Sequence, residues 1–95
     1  MHNPPHAGRI LNNLYLKPLG LSVTQAAESL CITRTALSEI IHGKRAITPK
    51  TALKLAKAFG TTPDLWMNLQ QRHDLWQQSQ QYQPDDVKVL YEHCA

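Results

Sequence analysis

Four polar side chains crowd into six consecutive positions, Thr33, Arg34, Thr35 and Ser38, at the head of the stretch TRTALSEIIHG. On a helix, residues three and four apart are neighbours, so Arg34 and Thr35 would share a face with Ser38. The chemistry on offer there is hydrogen bonding to planar polar edges. A guanidinium fork can pair bidentately with O6 and N7 of guanine, and threonine methyls can meet thymine methyls. One such bidentate pair contributes about 1–3 kcal/mol of discrimination between bases. Arg34 is the residue to which specificity is assigned; alone, it would read as a solvated or phosphate-bound surface arginine. Glu39 has two open readings, an acceptor for cytosine N4 or an anion that excludes wrong sequences.

These side chains need two helices to hold them. Ser22 is a good N-cap, with Gln25 at the capping-box position three residues on. The helix it starts places the small residues Ala26 and Ala27, then Leu30, on its buried side. Cys31-Ile32-Thr33 makes the turn, and Thr33 caps a second helix carrying Leu37, Ile40 and Ile41 inward. Gly43 follows as a left-handed end, then Lys44 and Arg45. Val23–Arg45 therefore reads as a helix-turn-helix, in which one helix braces and the next enters the major groove of DNA. Such turns often carry glycine where this chain has Cys31, and burial as a small hydrophobe is the expected reason for the cysteine. Ser22, Thr24, Lys44, Arg45 and Thr48 are the expected phosphate contacts, because helix N-termini and adjacent cations suit an anion.

Around this unit the chain shows more start and stop signals. Pro4, Pro5 and Gly8 make residues 1–8 an irregular arm, and a helix is expected from about Arg9 with Ile10, Leu11, Leu14 and Tyr15 at helical spacing. Pro18 and Gly20 end it, with Leu19 and Leu21 expected to plug the core. Thr48-Pro49 and Thr62-Pro63 are each an N-cap followed by proline at the first helical position. The fourth helix, Pro49–Phe59, is expected to bury Ala52, Leu53, Ala56 and Phe59, with Lys50, Lys54 and Lys57 outward and solvated. The fifth runs from Pro63 to about Gln80 and lines up Leu65, Trp66, Leu69, His73 and Trp76. It is longer than the short helices can cover, so Leu69, His73 and Trp76 are expected to meet a second subunit. Val87–Tyr91 reads equally as a short strand or a helical turn. The division is an arm at 1–8, a DNA-binding and dimerisation domain at 9–82 and a tail at 83–95.

Charge is partitioned along the chain. Residues 1–60 carry eight Lys and Arg against two Glu, a net of +6, and residues 61–95 carry two against five acids, a net of −3. A basic first part suits phosphate neutralisation. Cys31 and Cys94, without a CxxC spacing, give no disulfide framework, and the five histidines show no zinc-ligand spacing. No metal or cofactor is expected. Nucleophile–base pairs, Gly-rich phosphate loops and apolar carboxylate pairs are missing too, so an enzyme is not expected. No apolar run reaches the roughly 20 residues of a membrane span, and MHNPPHAGR is unlike a secretion signal. The expected compartment is the cytoplasm.

Three features coincide: His6-Ala7-Gly8 before Ile10-Leu11; LKPLGLSVTQAAESL running into TRTALSEIIHGKRAITPKTALKLAKAFG; and PDLWMNLQQRHDLW. Together, over roughly residues 4–76, they resemble the HigA/VapI-type antitoxins of the XRE-like (lambda-repressor-like) helix-turn-helix group. Ala7, Arg9 and His73 depart from that pattern, which more often has proline, an acid and an aromatic there. The resemblance implies an all-α, five-helix domain with a long C-terminal helix and a short tail. It also implies a homodimer on a palindromic operator overlapping its own promoter, and a RelE-like HigB toxin, an mRNA interferase, as partner. A stand-alone XRE-type regulator, or an interaction module that no longer binds DNA, are the alternatives.

Overall fold

The computed structural model describes residues 4–91. The expectations for residues 1–3, for 92–95 of the tail, and for His2, His93 and Cys94 lie outside the described residues. Helix α1 (Ala7–Leu11) runs into a π turn (Asn12–Leu16), and α2 (Val23–Leu30), α3 (Arg34–Ile41), α4 (Pro49–Phe59) and α5 (Pro63–Gln81) follow. A 3-10 turn, Pro84–Asp86, comes after α5. The described residues contain no strand; Val87–Tyr91 is neither strand nor helix, and is exposed. The fold is all-α.

The helices start where their caps are written. Ser22 Oγ accepts from Gln25 N–H at 3.1 Å while Gln25 Oε1 accepts from Ser22 N–H at 3.0 Å, a complete capping box. Thr33, Thr48 and Thr62 each accept, through Oγ1, the N–H three residues on. Proline occupies the first position of α4 and α5, where its missing N–H costs nothing. Gly43 and Gly60 take the left-handed conformation that ends α3 and α4.

The first helix departs from expectation twice. It begins at Ala7, not Arg9, because His6 Nδ1 accepts Gly8 N–H at 2.9 Å and supplies the cap. Gly8 is then buried where α1 crosses α3, and a Cβ there would overlap the carbonyl oxygen of Ile40. Farther on, Lys17 N–H donates to Asn12 O at 2.9 Å, five residues back. The extra residue in that turn shifts the helical register. Leu16 therefore fills the core while Leu14, expected inward, is exposed. Tyr15 packs beside Phe59 and Trp66, with ring centroids 5.1 and 5.4 Å away.

Other expected core residues are corrected in the same way. Leu19 is exposed, whereas Leu21 packs on the core after Gly20, whose left-handed backbone reverses the chain. In α4 the buried residues are Ala52, Leu55 and Ala56, with Phe59 packed beside them. Leu53 is exposed, since at about 100° per residue it lies a quarter-turn from Ala52, and Leu55 completes the i, i+3, i+4, i+7 stripe.

Two layers result. Helix α4 packs along α5 and against α2, α2 against α3, and α1 bridges α3 and α5. Trp66 is fully buried at the centre, its indole N–H donating to Thr61 Oγ1 at 2.8 Å. Buried Gln70 ties the connection after α3 to α5: its Oε1 accepts Ile47 N–H at 2.9 Å and its Nε2 donates to Asp74 Oδ1 at 2.9 Å.

Candidate nucleic-acid interface

Burial of Leu37 and Ile40 fixes which way α3 faces. With successive residues about 100° apart, Arg34, Thr35, Ser38 and His42 fall on the opposite side, within one quadrant or so. Arg34, Thr35 and His42 are exposed and Ser38 half-buried. Exposed Thr33 spends its Oγ1 on Ala36 N–H at 3.0 Å. Among the described residues Arg34 makes no ion pair, so its guanidinium is available to an outside acceptor. His42 donates through Nδ1 to the carbonyl of Ser38 at 2.7 Å, which fixes the tautomer and leaves Nε2 as an acceptor when neutral.

The turn before α3 differs from expectation. Cys31 is exposed, not buried, and takes the left-handed backbone with φ 56°. Its place is that of the glycine in a Schellman end, and Ile32 N–H reaches back to Ala27 O at 3.1 Å. Lys54, expected to be solvated, donates through Nζ to Cys31 O at 2.9 Å and so binds α4 to the turn.

Beyond α3 the expected phosphate contacts follow in order. Lys44 and Arg45 are exposed just past Gly43. Arg45 also reaches back to Glu39 Oε1, through Nη2 at 2.8 Å and Nε at 3.2 Å. Both side chains are well exposed, so this pair contributes about 0–1 kcal/mol at most and can yield to a phosphate. Ser22 and Thr24 sit exposed at the start of α2 and Thr48 at the start of α4, where first-turn N–H groups lack partners within the helix.

On α5, Leu69 packs on the core, and His73 is half-buried and donates through Nδ1 to Pro4 O at 2.9 Å. The His73 ring meets His6 edge-on, with centroids 5.0 Å apart. Trp76, two turns beyond Leu69, is half-buried, and Leu75 beside it is exposed. Burial, and then the neighbouring His73, lower the pKa of His6 below the usual imidazole value, with Asp74 opposing them. Among the described residues no group of three or more His, Cys, Asp or Glu could hold a metal ion.

Comparison with known proteins agrees with this geometry. Residues 14–66, more than half of the chain, match the helix-turn-helix family model. The chain is 47% identical over 93 residues to virulence-associated protein A′ of Dichelobacter nodosus, covering 97% of this chain and 79% of that protein. It is 36% identical over 90 residues to antitoxin HigA-1 of Vibrio cholerae, covering 93% and 85%. The chain belongs to the HigA-type helix-turn-helix family.

Solved structures place the whole HigA-type fold. Antitoxin GraA superposes with a TM-score of 0.88 at 30% identity, over 95% of this chain and all of that one. Pseudomonas aeruginosa antitoxin HigA, solved with the higBA promoter, gives 0.82 at 26% identity, over 93% and 99%. Within this HigA-type chain, three residues escaped the sequence reading. His42 was detectable, being four residues past Ser38 on the same face. Gln70 was visible only as part of the W-x-N-L-Q pattern, with nothing local to show that its partner would be Ile47. His6 was hidden by Pro4-Pro5, which suggested an irregular arm up to Gly8.

Proposed function

We propose that this protein is an antitoxin and autorepressor, binding a palindromic operator in its own promoter as a homodimer and neutralising a RelE-like HigB toxin. The observation that carries the reading is the outward face of α3, where Arg34, Thr35 and Ser38 are presented beside Lys44 and Arg45 without a competing salt bridge on Arg34. Thr33, Arg34, Thr35 and Ser38 read bases, and Ser22, Thr24, Lys44, Arg45 and Thr48 hold phosphates. One such helix reads only a few base pairs, so a two-fold dimer is required to place two of them in successive major grooves about 34 Å apart. Leu69, His73 and Trp76, each half-buried on α5, serve that dimer; the domain runs from the start of the first helix at Ala7 to residue 82, and the tail at 83–95 lies outside it. The HigA relatives, one of them solved on promoter DNA, support both halves of the reading. Its place is the cytoplasm, with its DNA; no helix among the described residues is long and apolar enough to cross a membrane.

Fluorescence anisotropy with the protein's own upstream DNA tests it. Arg34→Ala should weaken specific binding roughly 5- to 150-fold for each half-site of the operator, the worth of one bidentate base pair, with non-specific binding little changed. Absence of wild-type binding at low salt would refute the repressor reading. Co-expression with a RelE-like toxin encoded beside it tests the other half: growth should be rescued and the two chains should co-purify, and absence of such a gene or of rescue would refute the antitoxin reading.

A further inference from the structure

A second polar surface adjoins the end of α3. A cleft of about 750 Å³ opens between the first helix and the α3 terminus: Arg9, Asn12, Asn13 and Lys17 line it from the first helix, His42 and Gly43 from the end of α3, and α5 closes it with His73 and Gln77. No Asp or Glu belongs to its lining. Arg9 and Lys17 make no ion pair among the described residues, and the side chains of Asn12 and Asn13 have no hydrogen-bond partner there. Two permanent cations and two amides thus face an open space with nothing inside the chain to satisfy them. His42 belongs at once to this cleft and to the reading face, so the cleft continues that face away from Arg34.

We infer that the cleft between the first helix and the α3 terminus holds a backbone phosphate of the bound duplex, so that Arg9, Asn12, Asn13 and Lys17 extend the interface onto the first helix. The inference rests on the DNA-binding reading. Phosphate is the ligand this lining fits: an anion with several acceptor oxygens, met by a guanidinium, an ammonium and amide N–H groups. None of the four side chains can reject a base sequence from such a position. Their contribution is therefore uniform across sequences and salt-dependent.

Salt titrations of full-length protein on its upstream DNA and on a scrambled duplex test this. Leaving one phosphate without its neutralising cations should lower the slope of log affinity against log salt by about 0.9. Arg9→Gln with Lys17→Gln, which strips that one phosphate of its cations, should therefore flatten the slope by about 0.9 for each subunit bound, and weaken both duplexes by the same factor. Arg34→Ala, in contrast, should reduce the preference between the duplexes and leave the slope near wild type. Thermal melts matching wild type show that the double variant is folded; if it is not, Lys17→Gln alone, at an exposed position, gives the same readout at half the size. Unchanged slopes overturn the inference while wild-type binding keeps the DNA reading. Unchanged slopes together with failed toxin neutralisation overturn it in favour of a protein contact. No DNA binding by wild type overturns both.

Discussion

Gln70→Leu isolates the one buried polar residue of the core among the described residues. The amide joins the connection that follows Lys44 and Arg45 to α5, taking Ile47 N–H on one side and giving to Asp74 on the other. Leucine has nearly the same volume, so no cavity opens and the change reports the lost hydrogen bonds less the gain from burying an apolar side chain. Ile47 is 2% exposed, so its N–H would be left without acceptor or water. An orphaned buried donor costs about 1–3 kcal/mol, and the bond to the carboxylate adds about 1 kcal/mol. Better burial of leucine offsets part of this, leaving a destabilisation of about 2 kcal/mol. For a domain of this size that is a fall of roughly 8–16 °C in Tm. Circular-dichroism melts and urea titrations at pH 7.5 measure it. Gln70→Glu is the informative companion, keeping the acceptor for Ile47 but setting a second carboxylate against Asp74. One of that pair must then hold a proton in the fold, so its folded pKa is raised, and the variant should recover relative to wild type as pH falls toward 5. If Gln70→Leu melts within about 2 °C of wild type, the view that this amide fastens the basic loop is wrong.

Other perturbations test separate parts of the architecture. Gly8→Ala should destabilise by about 3 kcal/mol, as overpacking against the Ile40 backbone cannot be relieved by a rotamer change; a near-native urea midpoint would mean the helices can separate there. Cys31→Gly should stabilise by about 0.5–1 kcal/mol by relieving the left-handed strain, while Cys31→Val should destabilise by more, both read by chemical denaturation. His6 must be neutral to cap α1, and its folded pKa is lowered by burial and then by His73. Its contribution is therefore complete above the unfolded value of about 6.5 and is lost as pH falls below it. His6→Asn, which retains a capping acceptor, should abolish that part of the pH dependence in stability measured from pH 7.5 to 5.

How much of this was legible in the sequence follows from the range of the forces involved. Ser22, Thr33, Thr48 and Thr62 act on N–H groups three residues away, and Pro49, Pro63, Gly43 and Gly60 act on their own backbone, so the boundaries of α2 to α5 could be read locally. The π turn could not, because no residue type in NNLYL dictates an i+5 bond. Its cause is tertiary: Leu11 and Leu16 both reach the core, and five residues separate them. The same holds for Gln70, whose partner is 23 positions away, and for His73, which binds a carbonyl 69 positions away.

The reading face depends on forces of both ranges. Arg34, Thr35 and Ser38 are set by a local cap and a local hydrophobic period, so their placement on α3 could be derived from spacing alone. The height and tilt of α3 depend instead on distant contacts. Gly8 lets α1 approach the Ile40 carbonyl, Lys54 holds the carbonyl of Cys31, and Gln70 holds the loop beyond Lys44 and Arg45. Each contact grips α3 or its flanking turns through backbone atoms, so the side chains of the outward face can change without disturbing the grip. A change in base preference is then open to substitution at Arg34, Thr35 or Ser38 at little cost in stability. Substitutions at Gly8 or Gln70 should weaken binding to every sequence alike, because they move the helix and not its lettering.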